Sequence, residues 1–138
     1  MSLFNVLDVS ASAMSAQSVR MNTTASNLAN ANSVSSSANE TYRARHPVFA
    51  AEMSKALNQQ PHSVPVEVLG IVESDAPLKM EYAPNHPMAD KDGYIYKPNV
   101  NAVEEMANMI SASQSYQTNV QVADAAKQML QRTLTIGQ

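Results

Sequence analysis

Charge is nearly absent from both ends of this 138-residue chain. From Met1 to Asn39 the only side chains charged at neutral pH are Asp8 and Arg20, and from Met106 to Ala123 there are none. Both stretches nevertheless carry apolar residues at helical spacing. A helix with one face in water usually covers that face with Lys, Glu and Arg. Here Ser, Asn, Gln, Thr and Ala stand in those positions. The pattern constrains the fold to helices whose outer faces meet other protein rather than solvent.

The first helix is expected from about Ser2 to Ala31. Phe4, Leu7, Ala11, Met14, Ser18, Met21, Ala25 and Leu28 recur at alternating three- and four-residue steps, a heptad seam with Leu7, Met14, Met21 and Leu28 as its large knobs. Asn30 to Ser33 should end it, because Asn and Ser compete for backbone hydrogen bonds. The last helix is expected from about Asn101 to Leu134. Asn99 or Asn101 can cap it, and Glu104 and Glu105 suit the positive end of its dipole. Met106, Met109, Ser113, Tyr116, Val120, Ala123, Lys127, Leu130 and Leu134 again step by three and four, and Gly137 is a stop signal.

The intervening residues differ in composition. Asn32 to Asn39 is polar and Ser-rich, a loop or flexible turn. Glu40 to Pro98 holds all seven Pro, all three His and most of the charge. Val64, Val66 and Val68 alternate with polar or ring residues, as do Leu78, Met80 and Tyr82. Tyr94 to Tyr96 is a third short run, preceded by the turn signal Asp92-Gly93. Arg43 to Phe49 can form a fourth strand, and Ala50 to Leu57 a short helical turn. The expected fold is mainly α with a small β-rich insert. Residues 1–32 form an N-terminal helix, 33–98 a linker and β-rich middle region, and 99–138 a C-terminal helix. The two helices should pair as an antiparallel coiled coil with the insert at one tip.

Composition excludes several functions. The net charge of -3 gives no basic stripe for nucleic acid. The absence of Cys removes disulfides and thiolate chemistry. No stretch approaches the ~20 apolar residues of a membrane span, and no positive start followed by an apolar run marks a cleaved signal peptide. His46, His62 and His86 are the only candidate imidazole ligands or bases. Their spacing fits no metal motif, and two of them directly precede Pro. Asp90 and Asp92 before Gly93 resemble a fragment of a calcium loop but lack its further ligands, so a turn is expected. No phosphate loop or nucleophile elbow occurs. The expectation is a non-enzymatic chain with no catalytic residue, no metal, no cofactor and no small-molecule substrate.

Ser10 to Gln17, then Arg20-Met21-Asn22 and Ser26 to Asn32, resemble the N-terminal motif of bacterial flagellar rod and hook axial proteins. Glu104-Glu105-Met106, Met109-Ile110, Ser113, Ser115-Tyr116-Gln117 and Asn119-Val120 resemble their C-terminal motif. Asn85 to Asp90, Gly93-Tyr94 and Pro98-Asn99-Val100-Asn101 are similar to the proximal-rod members in particular. Gln114 departs from the Arg common in the family, and Ser33-Val34 from its usual Thr pair. The resemblance implies a structural rod subunit, assembled helically through its terminal helices to transmit torque from motor to hook. It implies export through the flagellar type III apparatus without a cleaved signal peptide, assembly in the periplasm, and itself and other rod subunits as partners. The subunit interface is then expected at Leu7, Ala11, Met14, Met21, Asn27, Leu28 and Asn30 of the first helix. On the last helix it is expected at Met106, Met109, Ile110, Tyr116, Gln117, Val120, Leu130 and Leu134. Another axial protein of the same system is the runner-up. A coiled-coil adaptor or export chaperone follows, and a hydrolase using His86 with Asp90 or Asp92 ranks last.

Overall fold

A computed structural model describes residues 3–52 and 64–136. Helix α1 spans Leu3–Asn30 and helix α2 spans Ala102–Ile136. Between them lie four strands, β1 (Arg45–Ala51), β2 (Val66–Glu73), β3 (Lys79–Tyr82) and β4 (Tyr94–Lys97). They form two separate antiparallel pairs, β1 with β2 and β3 with β4. No helix among the described residues is long and apolar enough to cross a membrane.

The helix ends follow local chemistry. At the end of α1, Asn30 Nδ2 donates to the Ser26 carbonyl (2.8 Å) and Ser33 Oγ to the Asn30 carbonyl (2.8 Å). Both side chains thus bond to backbone carbonyls of the last turn, the Asn30 carbonyl also accepting from the Ser33 amide (3.0 Å). At the start of α2, Asn101 Oδ1 accepts from the Val103 amide (3.2 Å), so Asn101 is the cap. Asn99 has a different task. Its Oδ1 accepts from the Ala44 amide (2.8 Å), and its Nδ2 donates to the Ser74 (3.2 Å) and Ala76 (2.9 Å) carbonyls. Pro98 and Val100 are buried on either side of it. The Pro98 to Asn101 run is therefore a joint that fixes the departure of α2 from β4.

The two helices pack along each other in opposite directions. Arg20 Nη2 donates to Asn108 Oδ1 (2.9 Å), and one cleft is shared by Ala31, Asn32, Asn101 and Ala102 at the other end of the contact. The β1–β2 hairpin does not sit at the tip, as the sequence suggested. It lies beside α1, tied by the Val66 amide to Ser12 Oγ (3.1 Å) and by Arg45 to Asn27. The β3–β4 hairpin does sit at the tip where α1 ends and α2 begins. Ser35, in the Ser-rich loop, exchanges both backbone hydrogen bonds with Tyr96 (3.0 Å each), so that loop extends the sheet instead of hanging free.

All four expected strands occur, with shifted limits. β2 begins at Val66, after the buried Pro65, and runs to Glu73. A bulge between Val48 and Phe49 leaves Leu69 without an opposite residue. Ala50 and Ala51 belong to β1 and not to a helical turn, because they continue the ladder opposite Glu67 and Val66. Glu52 follows the same ladder, its amide donating to the Pro65 carbonyl (2.9 Å), and residues 53–57 of that expected turn lie outside the described residues, as does Gly137. Gly93, at φ 84°, closes the β3–β4 hairpin, and a Cβ there would stand 2.9 Å from the Tyr82 ring.

The seam between the helices differs from the expected one in a systematic way. On α2 the inward positions are Glu105, Met109, Ala112, Tyr116, Asn119, Ala123, Ala126 and Leu130, all buried or half-buried. The line Met109, Tyr116, Ala123 and Leu130 belongs to the expected seam. The alternate line is rotated by one residue, so that Ala112, with 0% exposure, replaces Ser113, and Ala126 replaces Lys127. Small side chains there let the helix axes approach, and the larger neighbours flank the contact. On α1 the fully buried residues are Ser10, Ala16, Thr23, Thr24 and Asn27, while Leu7, Met14, Met21 and Leu28 are half-buried. The burial is rotated because α1 is covered on two sides, by α2 and by the β1–β2 hairpin.

Candidate assembly surface

Asn27 organises the interior of this surface. Its Oδ1 accepts from the Arg45 amide (2.9 Å) and from the Tyr42 hydroxyl (2.8 Å), and its Nδ2 donates to the Arg45 carbonyl (2.8 Å). With 1% exposure it is one of the two largest fully buried side chains among the described residues. The Arg45 guanidinium lies over the Tyr42 ring (5.5 Å to the centroid) and pairs with Glu73 across the hairpin (3.0 Å). This cluster latches β1 onto α1. Sequence reasoning placed Asn27 at a subunit interface and overlooked Tyr42 and Arg45. The available signal was a poor helix former in mid-helix with no charge nearby, which needs a buried partner to be tolerated.

The remaining expected interface residues divide into two groups. Leu7, Met14, Met21, Leu28, Asn30, Met109, Tyr116, Val120 and Leu130 are half-buried by the chain's own packing. Ala11, Met106, Ile110, Gln117 and Leu134 face outward. With Val103 (76% exposed), Met106 (52%) and Ile110 (60%) form an apolar stripe at steps of three and four on the outer side of α2. The outer side of α1 carries Phe4, Asp8, Ala11, Ser15, Asn22, Ala25 and Ala29, of which only Asp8 is charged and only Phe4 is large and apolar. Both helices therefore offer long outward faces with very little charge.

The polar chemistry of the middle region is committed to turns. Asp90 Oδ1 accepts from the amides of Asp92 (2.9 Å) and Tyr94 (2.8 Å), and His86 Nδ1 accepts from the Met88 amide (3.1 Å). His62 lies outside the described residues. Lys97 on β4 hydrogen-bonds Glu81 on β3, and this ammonium holds the Glu81 carboxyl below its ordinary value. Tyr82 and Tyr94 meet edge to face at 5.2 Å on the opposite side of the hairpin. No three His, Asp or Glu side chains gather as a metal set among the described residues.

Two family models match the chain at its ends. The flagella basal body rod protein family covers residues 7–35, and the C-terminal region of the flagellar basal body rod FlgEFG proteins covers 91–136. These spans contain most of α1 and all of α2. Full-length relatives extend the likeness across the middle. The chain is 46% identical to the flagellar basal-body rod protein FlgC of Salmonella typhimurium, over the whole of both chains. The same identity and coverage hold for FlgC of Escherichia coli O157:H7. For FlgC of Aquifex aeolicus the identity is 42% over 96% of each chain. A two-helix body with sparsely charged outer faces, matched from end to end by these relatives, places the chain in the FlgC family of flagellar basal-body rod proteins, as a structural, non-enzymatic rod subunit.

Proposed function

We propose that this subunit builds the proximal rod by burying the outer stripes of α1 and α2 against neighbouring subunits, as a helical tube that carries torque from motor to hook. The observation that carries the reading is the Val103, Met106 and Ile110 stripe, exposed in the isolated chain and followed by a charge-free run to Ala123. A solvent-facing helix with that composition loses the hydrophobic stabilisation available to it until another protein covers it. Within a tube, many such contacts share the shear that torque imposes. The helix pair then acts as a coiled unit, with the half-buried Leu7, Met14, Met21 and Leu28 filling the space between subunits.

The rod lies beyond the cytoplasmic membrane, so the chain reaches it by export. This reading takes flagellar type III export into the periplasm as the route by which the subunit reaches the rod. A chain free of Cys and with little large-residue core is suited to passage in an unfolded state.

The test is Ile110→Asp. Ile110 is 60% exposed, so the substitution should leave the fold of the isolated chain intact. It places a charge in the middle of the proposed contact, where burial without a partner costs several kcal/mol (~3 or more). The expected result is normal expression and export with no rod or hook beyond the inner-membrane ring. Normal motility would overturn the assignment of this face.

A further inference from the structure

Two charges of opposite sign border the uncharged helix faces: Arg20 stands alone in the second half of α1, and Asp124 stands at the end of the charge-free run of α2, with Lys127 one turn further on. Arg20 is the only cationic side chain between Met1 and Tyr42. Asp124 is the first charged side chain after Glu105. Among the described residues neither takes part in an ion pair. Arg20 spends one of its five donors on Asn108 and otherwise faces a cleft of about 310 Å³, whose walls are Thr24, His46, Pro47, Phe49 and Asn108. Asp124 is exposed. It also falls on the same line as Val103, Ile110 and Gln117, since the four are spaced by seven residues and all face outward.

The two charges cannot meet within one chain. Arg20 is fixed beside Asn108, and Asp124 lies about 24 Å further along α2 at ~1.5 Å per residue. If the Val103–Ile110 stripe is buried between subunits, Asp124 is buried with it, and an unpaired carboxylate there opposes assembly. The same holds for Arg20 once its cleft is covered. We infer that Asp124 of one copy enters the Arg20 cleft of a neighbouring copy and forms an intersubunit ion pair that sets their axial offset. The inference rests on the assembly reading above. Arg20 suits the task because a guanidinium holds a carboxylate bidentately while Asn108 steadies its remaining edge. Thr24 and His46 offer further hydrogen bonds, and Pro47 and Phe49 exclude water from one side. Glu104, the other exposed acid on the body of α2, is a poorer occupant because it stands in the first turn, where the helix dipole already stabilises it.

Charge exchange in the living cell tests the pair, with the chromosomal copy replaced by each variant. Arg20→Glu and Asp124→Arg should each lower the number of hook-bearing basal bodies roughly tenfold or more. The double variant Arg20→Glu/Asp124→Arg should restore most of that loss. Normal assembly in either single variant, or a double variant no better than the worse single one, overturns the pair. Deletion of the chain separates the two levels. If rods persist without it, the assembly reading itself fails. If rods vanish but the exchange does not rescue, only the ion pair fails. A second measurement does not depend on how well the reversals fold. Arg20→Lys keeps the cation and supplies an amine that carbodiimide can couple to a touching carboxylate. Coupling in isolated basal bodies should join position 20 to Asp124 of another chain. Coupling to Glu104 instead, or none in basal bodies that assemble normally, overturns the proposal.

Discussion

Asn27 sits where an aliphatic residue would usually serve a helix core, and its value comes from geometry rather than hydrophobicity. One fully buried carboxamide bonds both backbone groups of Arg45 and the Tyr42 hydroxyl. Removing it takes this partner from both backbone groups of Arg45 and leaves the Tyr42 hydroxyl only Ser26 Oγ (3.2 Å), and an unsatisfied group away from water costs more than a typical hydrogen bond contributes. Asn27→Ala is therefore expected to destabilise the chain by about 1–3 kcal/mol, read as a shift in the urea midpoint. Tyr42→Phe, which removes only one donor, should cost about 1 kcal/mol. An Asn27→Ala midpoint equal to wild type would show that the β1–β2 hairpin is not latched there. This cluster was not legible in the sequence. Tyr42 and Arg45 are fifteen and eighteen positions away from Asn27, and only the turn of the chain through the Ser-rich loop brings them back. Cap chemistry was more legible, because Asn101 acts on residues two to four positions ahead of it.

At the scale of elements, periodicity identified both helices to within about two residues but could not choose among adjacent stripes. A heptad count favours the line with the largest apolar residues. The helices instead bring their smallest residues into contact, with Ala112 fully enclosed and Ala126 and Ala16 nearly so. Large residues at the centre of a helix pair hold the axes apart, and here the hairpin beside α1 also claims part of its surface. That competition between two neighbours cannot be read from either helix alone. The strands were legible by alternation, and what was missing was their placement beside α1, which depends on the long-range Ser12–Val66 and Asn27–Arg45 bonds. The rotated seam makes a distinct expectation. Ala112→Leu should lower stability by about 1–3 kcal/mol through overpacking, whereas enlargement of the expected seam residue, Ser113→Leu, should have a smaller effect because that side chain stands at the edge of the contact. Thermal unfolding of the two variants distinguishes the seams, and equal losses would favour neither.

The whole molecule has a small interior for its length. Its buried hydrophobic residues, among those described, are Ala16, Ala44, Ile95, Val100, Ala112 and Ala126, while Phe4, Leu69, Val103, Ile110 and Leu134 stand largely in the open. Hydrophobic stabilisation scales with apolar area removed from water, so four alanines and two branched residues give the isolated chain little reserve against the conformational entropy of ordering two long helices. The stability should also be uneven. Around Asn27, Arg45 and Asn99 many polar and backbone groups are cross-tied. By contrast, Gln131 to Thr135 are all exposed, and α2 there extends past the start of α1. Local opening follows such differences in contact. In amide exchange on the dilute chain, protection should be highest near Asn27 and Ala112 and lowest from Gln131 to Thr135. In intact basal bodies the same terminal amides should become protected, because neighbouring subunits then cover the outward stripe that continues to Leu134. Strong protection of Gln131 to Thr135 in the dilute chain would mean that α2 is stable by itself. The ordering of this segment would then owe nothing to assembly, and exposure of Leu134 would have to be explained in some other way.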